Sequence, residues 1–262
     1  MAQKFTLTVA PNGARKTKRD HPGLPTSARE LATAAQACYA AGADCLHLHV
    51  RDDAGRHSLD VARYQEAMAA VAEAAPLMSV QITTESGGIF DVAQQFACLR
   101  GVVPKAASIS LGEMMRDRAV AERIYQFAHE AGIAVQHILY TPDEVGQLAD
   151  WMAQGAIPAA QNSVLFVLGK YQPETIAQPE DLDGFLQAAK PYDLEWTVCA
   201  FGPSEQACLN AAMLRGGNIR VGFENNIHLP DGRRARDNAE LVAVAYDHAR
   251  RLGRVEQLAK GA

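Results

Sequence analysis

At 262 residues and 48% hydrophobic side chains, the chain is long enough to bury a large core, and it fits one α/β domain spanning 1–262 better than two small ones. A formal net charge of -5 argues against a nucleic-acid or membrane-surface partner. No window offers the long uncharged apolar run of a membrane span, and Met1–Phe5 lacks the apolar stretch of a signal peptide. Cys38, Cys45, Cys98, Cys199 and Cys208 are scattered without a CxxC pair, as expected of reduced thiols in a cytoplasmic protein.

Short β-type runs alternate with helical patterns along the whole chain. Phe5–Ala10 reads as a first strand, followed by an Ala-rich helix introduced by Thr26-Ser27 and stopped at Gly42. A second strand covers Cys45–Asp52, and a helix then runs from Leu59-Asp60 to about Ala75. Leu77–Thr83 is the third strand, Asp91 caps a helix to about Leu99, and Ala107–Leu111 is the fourth strand. Asp117 begins a helix ending at Gly132, Ala134–Tyr140 is the fifth strand, and Thr141-Pro142-Asp143-Glu144 is a strong helix start. Ser163–Leu168 and Glu195–Ala200 are the sixth and seventh strands, with helices opened by Pro179-Glu180-Asp181 and by Ser204-Glu205. Ile219–Glu224 is the eighth strand, and Asp237 caps a last helix that stops at Gly253. Eight βα units in one chain of this length predict a (β/α)8 TIM barrel. A doubly wound sheet is the rival, but the glycine-rich dinucleotide turn after its first strand is missing.

The stretch Leu46-His47-Leu48-His49-Val50-Arg51-Asp52 carries the chemistry. Strand side chains alternate, so His47 and His49 share one face, about 7 Å apart at the backbone, while the leucines take the other. Two such imidazoles either converge on a metal ion or pack as half-buried histidines. Barrel chemistry sits at the carboxyl ends of the strands, where both histidines and Glu224 fall, with Arg220 four residues before Glu224. The second and eighth strands are separated only by the first around a closed ring, so Glu224 can join the two histidines in a three-ligand set with an open position. Zinc, iron or manganese would suit these donors.

Together with Arg220-Val221-Gly222-Phe223-Glu224-Asn225-Asn226, that stretch resembles the β-keto acid cleavage enzyme family over nearly the whole chain. The likeness includes Thr8-Val9-Ala10-Pro11-Asn12-Gly13-Ala14, Gln81-Ile82-Thr83-Thr84 and Asn238-Ala239-Glu240-Leu241-Val242. The resemblance implies a zinc-bearing barrel, usually a homotetramer, that condenses a β-keto acid with acetyl-CoA to give acetoacetate and an acyl-CoA. It places the metal on His47, His49 and Glu224 and gives Arg220 the task of holding or polarising the substrate.

The chain departs from the best-known member of the family at two positions. Asn225 stands where that member has an aspartate active in proton transfer, and Ala14-Arg15 stands where it has a glutamate in the opening loop. An amide cannot act as a base, so Glu85, after the third strand, and Glu113, after the fourth, become the candidates. Thr83, Ser108, Ser110 and Asn225 are candidate hydrogen-bonding groups for the substrate. Lys16, Lys18 and Arg19, in the basic loop Arg15–Arg19, form a candidate landing site for coenzyme A phosphates, or simply a solvated loop. His21, His57, His129, His137, His228 and His248 have no partner spacing; only His137 falls on a strand, and the others are expected at the surface or in packing. Two other functions fit the same residues: a CoA-independent aldolase or hydrolase of a β-dicarbonyl compound, and a keto-acid-binding barrel without turnover.

Overall fold

The computed structural model describes residues 5–171 and 174–255; Met1–Lys4 and the tail from Glu256 lie outside the described residues. In chain order they form β1 (Leu7–Val9), α1 (Ala28–Ala40), β2 (Cys45–Leu48), β3 (Val50–Arg51), β4 (His57–Ser58), α2 (Val61–Ala74), β5 (Ser79–Thr83) and α3 (Val92–Val102). There follow β6 (Ala106–Ser110), α4 (Leu111–Met114), α5 (Arg118–Glu130), β7 (Ala134–Leu139), α6 (Pro142–Ala153) and β8 (Ser163–Leu168). The chain continues with β9 (Lys170–Tyr171), β10 (Glu174–Thr175), α7 (Asp181–Ala189), β11 (Glu195–Ala200), α8 (Glu205–Leu214), β12 (Asn218–Val221) and α9 (Asn238–Arg251). Eight of the strands close a barrel in the order β1-β12-β11-β8-β7-β6-β5-β2, and every ladder pair within it is parallel. The (β/α)8 fold is therefore present. No helix of the described residues is long and apolar enough to cross a membrane.

Capping chemistry sets where the helices start. Ser27 accepts from the Glu30 amide while the Glu30 carboxylate accepts from Ser27 in return, and Asp91 and Gln94 repeat the box on α3. Asp60, Asp117 and Asp237 each accept from the backbone three residues on, at the heads of α2, α5 and α9.

The main core lies between barrel and helices. Leu46 and Leu48 of β2 join Leu31 of α1 and Tyr64 of α2 in it, while His47 turns inward to Gln81 of β5. Inside the barrel a polar chain continues from Gln81 Nε2 to Gln136 Oε1 (3.3 Å) and from Gln136 Nε2 to Thr197 Oγ1 (3.2 Å). Two residues further along the same strands, Ile138 of β7 and Cys199 of β11 join Leu165 and Val167 of β8 in a separate small apolar cluster with Phe201 against it.

Five strands end earlier than their composition predicts, the first and the fifth by one residue, at Val9 and Leu139. The second leaves the barrel after Leu48, because Val50–Arg51 pairs instead with His57–Ser58 and the buried Arg51 guanidinium donates to the carbonyls of Gly13, Lys16 and Gly55. The fourth ends at Ser110, where the short α4 begins. The eighth ends at Val221, since Gly222 takes a φ of +139° that an L side chain rarely adopts, and a Cβ there would lie 2.4 Å from the Ala10 carbonyl oxygen. Glu224 thus sits just beyond the strand rather than on it.

Candidate metal centre and active site

Closing β1 between β2 and β12 brings the predicted ligands together at the carboxyl ends of the strands. One donor atom each from His47, His49 and Glu224 lies within 4.8 Å of the others, and all three residues are buried. His47 Nε2 is 3.1 Å from His49 Nε2, and Glu224 Oε2 is 3.6 Å and 3.4 Å from these two nitrogens. The Gly13 bend holds Glu224 in place: at its φ of +60°, a Cβ would come within 2.5 Å of Glu224 Cγ. Arg220 grips the other carboxylate oxygen, Oε1, at 3.1 Å.

Gln81 Oε1 accepts at 2.8 Å from His47 Nδ1, so the proton sits on Nδ1 and Nε2 turns a lone pair into the cluster. Burial, reinforced by Arg220, holds the His47 pKa down to about 3, which keeps the ring neutral and able to ligate. Burial alone would raise the pKa of Glu224, but the Arg220 guanidinium overrides it and holds the carboxyl well below the usual range. His49 Nδ1 is buried with no hydrogen-bond partner among the described residues. Two imidazole nitrogens at hydrogen-bond distance beside an ionised carboxylate are a donor set that a divalent cation satisfies, so the residues present fit a metal ion.

The base candidates separate clearly. Glu85 lines the cavity above the cluster with Oε2 3.8 Å from His49 Nε2, and burial raises its pKa. Glu113 lines the same cavity, but its carboxylate accepts from the Ser86 amide, the Ser86 hydroxyl (2.7 Å) and Gln95 Nε2 (2.7 Å). It clamps the loop after β5 onto α3 and α4. That cavity, of about 440 Å³, has Arg220 and Glu224 on its floor and an apolar wall of Ile138, Val167 and Phe201.

Of the candidate substrate contacts, Ser110 lines this cavity and Ser108 lies two residues deeper, its hydroxyl buried with no partner among the described residues. Thr83 Oγ1 accepts from the Glu85 amide at 3.0 Å and so aims the Glu85 loop. In the basic loop, Lys16 Nζ donates to the Glu224 carbonyl at 2.7 Å, and burial lowers its pKa to about 8. Lys18 turns to Glu30 at 2.6 Å, and Arg19 is exposed. Asn225 is 3% exposed and lines a second cavity beside the first.

Two contributors were not given a role by the sequence. Gln81 orients His47; it heads the family-like stretch Gln81-Ile82-Thr83-Thr84, but nothing local ties it to a histidine 34 positions earlier. His57 packs 5.3 Å from the His49 ring, and its Nε2 lies 2.7 Å from the Glu85 carbonyl; since a carbonyl only accepts, Nε2 is the donor. Burial holds the His57 pKa down to about 4, and spacing alone could not link it to a strand partner eight residues earlier. His137, the remaining histidine set apart by its place on a strand, is buried away from the cluster, with Nε2 donating to the Gln161 carbonyl at 2.9 Å.

This architecture places the chain among the (β/α)8 barrels that build a polar site at the carboxyl ends of their strands. Within that class it belongs to the beta-keto acid cleavage enzyme family, whose model matches residues 4–259. The 3-keto-5-aminohexanoate cleavage enzyme of Fusobacterium nucleatum is 28% identical over 97% of this chain and 94% of its own length. The 3-oxoadipate:acetyl-CoA acetyltransferase of Cupriavidus necator is 25% identical over 98% of this chain and 94% of its own. The solved structure of ObcA in ternary complex with a C4-CoA adduct and oxalate superimposes with a TM-score of 0.68 at 16% identity, over 88% of this chain. The chain covers 65% of that structure's length, and the likeness is one of fold.

Proposed function

We propose that this protein uses acetyl-CoA to cleave a β-keto acid, releasing acetoacetate and the acyl-CoA of the remaining fragment, with a divalent metal ion, zinc by preference, held by His47, His49 and Glu224. The observation that carries the reading is the convergence of those three donors within 4.8 Å, with Arg220 on the far oxygen of Glu224. Family membership and the acetyl-CoA-dependent names of the relatives support the choice of reaction. The balance is R–CO–CH2–COO⁻ plus CH3–CO–SCoA giving CH3–CO–CH2–COO⁻ plus R–CO–SCoA.

When bound, the ion supplies Lewis acidity to the ketone oxygen of the substrate and stabilises negative charge there. The protein's own groups do the rest. Arg220, locked against Glu224, offers a fixed positive partner to the substrate carboxylate. Glu85, its pKa raised by burial, takes the proton from the methylene carbon at Oε2, the oxygen facing His49, and later returns it. Asn225 holds no proton to give and accepts none, so it belongs to binding rather than to proton transfer. Ser110, in the wall of the cavity, adds a hydrogen-bonding group offered to the acid.

A panel of β-keto acids with acetyl-CoA, read by mass spectrometry for acyl-CoA products, tests the proposal. Consumption of an acid without any acyl-CoA product would favour a CoA-independent aldolase or hydrolase. Metal and ligand binding without consumption of any acid would favour a binding barrel. Replacing His47 and His49 together by alanine should empty the metal site while the barrel stays folded.

A further inference from the structure

Glu205 opens α8 and is 1% exposed, an acid held inside the protein but outside the donor cluster. Burying a carboxyl group is costly unless donors meet its oxygens. At the head of a helix such a group commonly serves the helix's own first amides. Glu205 turns away from them. The Gly222 amide donates to Oε1 at 3.4 Å, and Asn226 Nδ2 donates to Oε2 at 3.2 Å.

Gly222 and Asn226 are the two ends of the turn that carries Glu224. The chain reverses there on the Gly222 carbonyl, which accepts from the amides of Asn225 (2.9 Å) and Asn226 (3.0 Å). Other groups tether the middle of the turn. The Ala10 carbonyl accepts from the Glu224 amide at 3.1 Å, Asn238 Oδ1 from the Phe223 amide at 2.9 Å, and Lys16 Nζ donates to the Glu224 carbonyl at 2.7 Å. Gly222 brings no side chain of its own to brace its end. The Asn226 amide is oriented from the far side, with Nδ2 donating to the His228 carbonyl at 2.6 Å and Oδ1 accepting from the His228 amide at 3.0 Å. Glu205 lines neither the main cavity nor the one beside it, so it reaches the chemistry only through the turn. Burial pushes its pKa up to about 8, so near neutral pH its use lies in reach rather than in charge.

We infer that Glu205 is a positioning residue for Glu224: its carboxyl group spans the turn from Gly222 to Asn226 and fixes the Glu224 carboxylate opposite His47 and His49. The inference rests on the proposed metal site and adds a residue that neither holds the ion nor faces the substrate. Without the span the turn keeps its middle tethers and loses its ends, and any pivot there passes directly to the Glu224 carboxylate.

Two readouts test this: zinc dissociation constants from competition with a chelator, and hydrogen exchange across Gly222–Asn226 in the metal-free protein. Glu205→Leu fills the space without an acceptor and should weaken zinc binding about 10–100-fold, the usual loss when a ligand's outer partner is removed. It should also speed exchange in the turn while the barrel strands exchange as in the parent. Glu205→Gln keeps the length and one acceptor oxygen and should lie closest to the parent. Glu205→Asp keeps the acid but is too short to span the turn, and should weaken zinc about tenfold or more. It carries the test if Glu205→Leu does not fold. A residue that served only the stability of α8 would lower the melting temperature in these variants and leave the zinc constant of the folded protein unchanged, which would overturn the assignment. So would an Asp variant that matches the parent while the Gln variant falls, since charge rather than reach would then decide. A parent protein that binds no divalent ion refutes the metal site itself. The span then stands or falls on exchange in the turn, and unchanged exchange in Glu205→Leu overturns it.

Discussion

Replacing Gln81 by leucine should weaken metal binding without removing any ligand. The Gln81 carbonyl oxygen, 2.8 Å from His47 Nδ1, fixes the tautomer and the ring plane of a histidine that is 1% exposed. Leucine is of similar size and offers no acceptor, so the Nδ1–H would be buried unmade, at a cost of about 1–3 kcal/mol in stability. Loss of such an orienting partner typically lowers metal affinity about 10–100-fold, equivalent to about 1.4–2.7 kcal/mol. Gln136→Leu, one step further along the chain through its 3.3 Å contact with Gln81, should show a smaller loss of affinity. Competition with a chromophoric chelator gives the zinc dissociation constants, and thermal melts of the metal-free proteins give the stability cost separately. A Gln81→Leu protein that melts lower yet binds zinc within about threefold of the parent, well short of that range, would refute the orienting role.

Glu85→Gln should lower kcat by about 10²–10⁴-fold while zinc content stays at the parent level; a parental rate would remove Glu85 as the base. Gly13→Ala should cost about 1–2 kcal/mol for the left-handed backbone and displace Glu224, so metal content, read by elemental analysis of the folded variant, should fall. The acid side of the stability profile follows from His137, whose pKa burial lowers from 6.5 to about 4. Between those values the unfolded chain holds a proton that the folded one does not, so stability is lost as pH falls through that window, by about 2–3 kcal/mol from pH 7 to 4.5. Urea midpoints at both pH values should show a shallower loss in His137→Leu, and parallel losses would mean that other groups carry the effect.

Local pattern in the sequence determined the repeating βα order, the helix starts and the shared face of His47 and His49, because alternation, amphipathicity and capping are written in neighbouring residues. Ser27 with Glu30, and Asp91 with Gln94, are capping pairs three residues apart, and both are legible without any tertiary contact. Ring closure was also accessible by counting strands, and with it the meeting of the histidines with Glu224 across β1. What only the tertiary structure decided is which polar residues serve the cluster. Gln81 and His47 are 34 positions apart and Lys16 and Glu224 are 208 apart, so no periodicity relates them. Glu85 and Glu113 looked alike after their strands; the barrel leaves the first facing His49 and closes Ser86 and Gln95 around the second. Glu205 read as a helix start, and its bonds to both ends of the turn around Glu224 exist only where α8 packs against β12. Such roles depend on which donors and acceptors are left over after the chain has satisfied all the others, and that remainder exists only in the folded molecule.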